Sequence, residues 1–264
     1  MAGPGTLLAL RSELDARWQS MLGVAGVLGL LAGWQLVAWT VAGGSFLLPT
    51  PVQTVRALGE LASSGELWSD MLASVQRVGI GYGISLAIGI VFGVAIGSMA
   101  AAEAFFEPQF GLLRYIPASA LTPLFLLWLG IDEPPKIALI VVGTVFYNIL
   151  MVADVARSVP TTLINASYTL GANRRTILRR VVLPHSWPGI IDVARINLAA
   201  AWLMLVVAEL LAAQEGLAFR IIRAQRFRQV DRMFALLLVF GAIGIVSDVV
   251  LRAVKKYGFP WARP

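Results

Sequence analysis

Arginine is the residue whose placement suggests chemistry in this sequence. Arg174, Arg175, Arg179 and Arg180 fall within NASYTLGANRRTILRRVVLP, Asn165 to Pro184, and Arg220, Arg223, Arg226, Arg228 and Arg232 form a second group. Guanidinium groups at such spacing suit phosphate head groups, carboxylates or an anionic solute. The usual catalytic alternatives are missing. The one histidine, His185, stands beside Ser186 with no H-E-x-x-H pair, nucleophile elbow or paired intramembrane aspartates. No cysteine is present, which removes thiol catalysis, disulfides and thiolate metal sites. There is no G-x-x-x-x-G-K-[ST] phosphate loop, so the chain is not a conventional ATPase. The reading is a non-enzyme with no catalytic residue, metal or cofactor of its own.

The elements that position these arginines are built for lipid. Of 264 residues 58% are hydrophobic and 14% charged, and the mean hydropathy is +0.78, which marks an integral membrane protein. Nearly charge-free runs fall at Met21 to Val41, Val78 to Ala102, Tyr115 to Ile131, Ile137 to Ala153, Ile196 to Ala208 and Met233 to Ser247. A spanning helix needs roughly 20 residues, so these predict an all-α, polytopic protein of about six transmembrane helices. The last two must borrow from Asp192 to Arg195, Glu209 to Leu211 and Asp248 to Leu251. The expected organisation is an N-terminal segment over residues 1–20, a transmembrane domain over 21–251 and a tail over 252–264. Within the domain lie a connector with a helix at 46–77, a loop from Glu103 to Arg114 and a loop at 155–195. Most of the 21 Lys and Arg residues then share a side with both termini, which places the termini in the cytoplasm. Basic residues that flank spans form no soluble basic face, so no nucleic-acid partner is expected.

In the loop, Gly171 can end one short helix, Asn173 can cap the next, and Pro184 is expected to stop that helix at Leu183. Ile177, Val181 and Leu178 share a face while the four arginines point to water or lipid head groups. Two readings stand on these features alone, a positive-inside interfacial loop and a docking element. Outside the loop, Thr50, Pro51 and Gln53 spell an N-cap, an N1 proline and a capping-box partner for a helix through about Ser63.

Six glycines in the second run, Gly79, Gly81, Gly83, Gly89, Gly93 and Gly97, predict close helix packing. In the third run Pro117 and Pro123 remove donors and bend the helix near Tyr115, Ser119 and Thr122. Ser119, Thr122, Trp128 and Asn148 are candidates for lining a pathway, with interhelical hydrogen bonding as the alternative. Glu209 ends an apolar run where a carboxylate needs a partner, Arg220 or a residue of another helix. Arg220, Arg223 and Arg226 are candidates for attracting an anion or docking a binding protein on the outer face. Pairing with Glu215 and Asp231 or with lipid is the alternative.

The loop spacing resembles the signature of the membrane subunits of binding-protein-dependent ABC importers: Glu-Ala-Ala, three residues, Gly, then about a dozen residues to Leu-Pro. Ala166, Gly171, Leu183 and Pro184 fit; Asn165 stands in place of the Glu and Ser167 in place of the second Ala. FLLPTPVQTVRALGEL from Phe46, SGELWSDMLASVQRVGIGYGIS from Ser64, IPASALTPLFLLWLGI from Ile116 and AELLAAQEGLAFRIIRAQRF from Ala208 resemble the nitrate, sulfonate, taurine and bicarbonate importer permeases. The resemblance implies a type I importer permease in the bacterial inner membrane, with Asn165, Ala166, Ser167, Gly171, Leu183 and Pro184 in the segment that couples to an ATPase. It implies as partners ABC ATPase subunits carrying ATP and Mg, a second permease copy, membrane lipid and a periplasmic or lipid-anchored binding protein. A small anion is the expected cargo; a thiamine-precursor pyrimidine and a passive channel or scaffold are the alternatives.

Overall fold

All secondary structure among the described residues is helical, as a chain immersed in lipid requires when it does not close into a barrel. The structure, a computed structural model, describes residues 15–42 and 47–262. Arg11, Glu13, Phe46, Arg263 and Pro264, within stretches named above, lie outside the described residues. The helices are α1 (Ala16–Ala42), α2 (Pro51–Ser63), α3 (Glu66–Ser98), α4 (Ala100–Leu113), α5 (Thr122–Leu129), α6 (Glu133–Arg157), α7 (Thr161–Thr169), α8 (Arg174–Ile177), α9 (Leu183–Ala212), α10 (Leu217–Arg226) and α11 (Val230–Gly258). A 3₁₀ turn, Ala118–Leu121, precedes α5, and a π-helical stretch, Leu178–Val182, joins α8 to α9. Five segments are long and apolar enough to cross a membrane, and a bent pair makes up to six.

That bent pair corrects the third expected span. It is not one kinked helix over Tyr115 to Ile131 but α4 followed by Ala118–Leu129, the two halves meeting at 78°. The second run ends at Ser98 because Met99 is extended, and α4 then begins where a loop was expected. The carboxylates that made Glu103 to Arg114 look like a loop are neutralised: Arg157 Nη2 lies 3.1 Å from Glu103 and 2.7 Å from Glu107. Pro184 also departs from expectation. The helix runs on from Arg174 to Leu210, with Leu183 N–H reaching back five residues to Leu178 O. The π turn places Pro184 in the first turn of α9, where its missing donor matters least. The last two spans do borrow charged residues. Arg195 Nε pairs with Asp248 at 2.9 Å, and Lys255 with Asp192.

The chain divides into two units, residues up to Ser63 with Ala224–Ala235, and Ser64–Arg223 with Leu236–Pro264. In the first, Thr50 N–H donates to Gln53 Oε1 at 2.8 Å and Gln53 N–H to Thr50 Oγ1 at 3.3 Å, the reciprocal capping box. Trp34 Nε1 donates to Pro49 O at 2.9 Å, and its ring stacks on Phe234 at 5.8 Å. Along α1 Leu30, Leu36 and Trp39 are exposed, an apolar surface suited to lipid.

The second unit is organised by α3 against α6. A Cβ on Gly89 would sit 2.7 Å from Asn148 Cβ, one on Gly93 2.6 Å from Ile149 O, and one on Gly97 2.7 Å from Ala156 Cβ. Backbones meet there because nothing larger than hydrogen fits. Gly81 lies on the same seam, against Ile140, whereas Gly79 and Gly83 face open space. The contacts climb both helices in the same direction, so α3 and α6 run parallel. The chain must therefore cross back between them, which is what α4 and α5 do. Running antiparallel to α6, α9 places Leu205 against Val78 and Ile140, and Ile190 and Val193 with Val152 and Val94.

Candidate functional site

Each end of the second unit carries a polar construction, and a cavity lies at the bend of α4 and α5. At one end is the loop. α7 closes with a Schellman turn: Gly171 N–H donates to Tyr168 O at 2.9 Å and Ala172 N–H to Ser167 O at 3.0 Å. Gly171 adopts φ +79°, the left-handed region where a side chain is strained, although no atom lies within 4 Å of where a Cβ would be. Asn173 Oδ1 accepts from Thr176 N–H and Thr176 Oγ1, each at 2.9 Å, and so starts α8. Ile177 and Val182 are buried with Val94, Val152, Ala156, Val159, Ile190 and Val193, and Leu178, Val181 and Leu183 pack beside them.

The loop is thereby fastened to α3, α6 and α9. Its outer surface is not fastened to anything: α7 buries no residue and exposes Leu163 and Tyr168, and Leu170 beyond it is 88% exposed. Asn165, Ala166 and Gly171 are exposed, as are Arg174, Arg175, Arg179 and Arg180. Ser167 donates to Leu163 O at 2.7 Å, and Leu183 and Pro184 are half-buried in the first turn of α9.

At the opposite end Glu209, 1% exposed, finds its partner on another helix. Arg77 Nη1 donates to its Oε1 at 2.9 Å, Ser74 Oγ to the same oxygen at 2.7 Å, and Ala218 N–H to Oε2 at 2.8 Å. Arg77 also forks onto Glu133 through Nε at 2.6 Å and Nη2 at 2.8 Å, and gives Nη1 to Glu215 O at 2.8 Å. Asp70 accepts from Gly216 N–H and Ser74 from Leu217 N–H, both at 2.9 Å. Side chains from α3 and α9 thus cap the N-terminus of α10, whose first amides have no partner inside their own helix.

Arg220 belongs to this network, with Nε on Asp70 and Nη1 on Glu66 at 2.6 Å. It is committed to those carboxylates and not turned to solvent, which corrects its place among the anion-attracting arginines. Arg223 and Arg226 are exposed on α10.

The four pathway candidates are not brought together. Asn148 is fully buried: it donates to Ser85 Oγ at 2.9 Å and accepts from Asn197 at 2.8 Å, while Thr144 donates to Ser85 Oγ at 2.7 Å. This chain of hydrogen bonds ties α3, α6 and α9 together. Thr122 is buried and donates to Ser119 O at 2.7 Å, and Trp128 is exposed. Only Ser119 lines the cavity of about 460 Å³ at the bend, whose other walls include Arg114, Tyr115, Phe146, Tyr147 and Met204. Arg114 escapes sequence reasoning because it counts there as a loop charge, and Arg77 because the apolar run begins at Val78. A lone arginine set between Leu113 and Tyr115 is the available signal for the first.

Comparison with known proteins gives concordant results. Residues 83–256 match the family described as binding-protein-dependent transport system inner membrane component. The SsuC permease of Bacillus subtilis, named for aliphatic sulfonate transport, is 32% identical over 88% of this chain and 84% of its own length. The taurine transport system permease TauC of Escherichia coli is 33% identical over 94% of each chain. Among solved structures, a chain of the inward-facing MetNI methionine ABC transporter superposes with a TM-score of 0.59 at 21% identity, covering 69% of this chain and 93% of that one.

Proposed function

We propose, since this chain belongs to the family of binding-protein-dependent transport system inner membrane components, that it moves a small anion of the sulfonate, taurine or bicarbonate class across the bacterial inner membrane by alternating access. It is a permease subunit of an ABC importer, and in such importers the ATPase is a separate subunit. The observation that carries the coupling assignment is the loop, held at its base and bare at its tip. Exposed Leu163, Tyr168 and Leu170, on a loop that also exposes four arginines, are costly in water and call for a protein groove. A passive channel has no use for them.

In this reading two copies of the chain form the pathway and two ATPase subunits sit beneath. Closure of the ATPase pair moves α7 through Asn165 to Gly171. The Ile177 and Val182 cluster passes that movement into α9, α6 and α3, which alternate between inward and outward access. A periplasmic or lipid-anchored binding protein delivers the anion. Lys255 on α11 pairs with Asp192 on α9, so the basic end of α11 lies toward the loop end of the second unit. That supports a cytoplasmic loop and C-terminus.

The test is Gly171→Val in the complex expressed with its ATPase and binding protein. A β-branched residue at φ +79° costs roughly 1–2 kcal/mol or more by backbone strain, with no steric clash around it. The expected result is a chain that inserts normally but loses ATPase association or coupled uptake. Undiminished coupled uptake refutes the coupling assignment.

A further inference from the structure

We propose that the cavity at the bend between α4 and α5 is a binding site for a small organic oxoanion, with Arg114 holding its head group; this rests on the permease reading above. Depth is the first observation. Phe146 and Tyr147 in the cavity wall lie about 20 Å from the start of α6, a helix roughly 38 Å long at ~1.5 Å per residue, so the cavity sits near mid-membrane. A cation at that depth is expensive unless it faces water, a partner or a ligand.

The second observation is what Arg114 lacks. Arg77, Arg157, Arg195 and Arg220 each hold at least one carboxylate, whereas no carboxylate of a described residue pairs with Arg114. Its guanidinium touches one phenol: Nη2 donates to Tyr115 Oη at 3.0 Å, and Cζ lies 4.9 Å from the centre of that ring, while Tyr147 Oη donates to the Arg114 carbonyl at 3.4 Å. The remaining guanidinium donors are open, in a planar fork that matches two oxygens of one sulfonate or carboxylate.

The third observation concerns the walls. Tyr115 and Ser119 supply hydroxyls near the head group, and Phe146 and Met204 supply apolar surface. A single cation beside an apolar wall suits an anion that carries a carbon tail better than an inorganic one, whose hydration the wall would strip without return. The cavity of about 460 Å³ is large enough for such a ligand with its residual water.

The experiment measures retention of radiolabelled hexanesulfonate by the detergent-purified permease–ATPase complex without binding protein, with hexanesulfonamide as an uncharged competitor. Wild type is expected to retain the sulfonate and to be displaced poorly by the sulfonamide. Arg114→Gln should weaken sulfonate retention about tenfold or more and erase the preference for charge, and Arg114→Lys should restore part of it. A merely structural role for Arg114 would weaken both probes alike. Three results overturn the proposal: no retention by the wild-type complex, unchanged charge preference in Arg114→Gln, or a co-purifying phospholipid that the variant loses while the sulfonate is unaffected. Failure of the chain to assemble with an ATPase is a different result and strikes the permease reading itself.

Discussion

Replacing Arg77 with Met removes the cation that Glu133, Glu209 and Glu215 of the second unit share. The Arg77 side chain is 3% exposed and that of Glu209 fully buried, so the substitution strands the Glu209 carboxylate with only Ser74 Oγ and Ala218 N–H for company. Removing one partner of a buried ion pair costs about 3–5 kcal/mol, a factor of about 10² to 10³·⁵ in the folded-to-unfolded ratio. At about 2–4 °C per kcal/mol for a chain of this size, the midpoint should fall by about 6–20 °C. Glu133 adds little, because it is half exposed and keeps Lys136 at 2.8 Å.

The double variant Arg77→Met/Glu209→Gln separates charge from packing. The amide that replaces the Glu209 carboxylate carries no charge to strand, and its carbonyl still accepts from Ser74 or Ala218. The net loss is then about 1–2 kcal/mol for the hydrogen bonds that disappear, so the double variant should be more stable than Arg77→Met alone. The assay is thermal unfolding of the detergent-purified complex, followed by loss of monodisperse elution. A midpoint shift below about 2 °C for Arg77→Met, or a double variant less stable than the single, refutes the claim that burial of unpaired charge dominates at this end.

Two further predictions use simpler readouts. Gly93→Ala drives a methyl into Ile149 O and Val152 and should sharply lower the yield of folded complex, whereas Gly79→Ala faces open space and should be neutral or stabilise by up to about 1 kcal/mol through helix propensity; equal yields would remove the close α3–α6 approach as the reason for the glycines. Arg223→Gln with Arg226→Gln should slow uptake of an anionic cargo more at low than at high ionic strength, measured in proteoliposomes. A loss independent of salt assigns these exposed arginines to docking instead.

Hydropathy made the number and rough position of the spans legible, because the solvent is nearly uniform there and length alone decides. It failed where charges are neutralised by distant partners. Glu103 and Glu107 announced a loop, yet Arg157, far along the chain on α6, lets α4 form through them. Arg77 stood just outside the apolar run that begins at Val78, when it is in fact buried within α3. Glu209 was legible as a group needing a partner, but pairing is a tertiary fact and its partner was not. The loop was legible in most detail because its turn is local: Gly171 and Asn173 act on hydrogen bonds to near neighbours in the chain. Pro184 misled for the opposite reason, since proline stops a helix only when the preceding turn is α-helical. Asn148 and Thr122 carried a polar side chain in an apolar run, a signal that does not distinguish a pathway from a hydrogen bond between helices.

The π-helical stretch Leu178–Val182 acts as a phase setting between the loop and the span. One residue more than an α-helical turn holds rotates everything before it by about 100° relative to everything after it. With the stretch as it is, Ile177 faces the cluster on α6 and α9 while Arg174 and Arg175 face outward. If the same residues wound as ordinary α-helix, the loop side would turn by about that angle and bring the wrong face inward, arginines toward Val152 and Ile177 toward water, whereas deleting one residue from the stretch would restore α-helix with the phase kept. The wide turn thus absorbs one residue of slack between Gly171 and Pro184: a single deletion there leaves the gearing as it is, and a further insertion changes it.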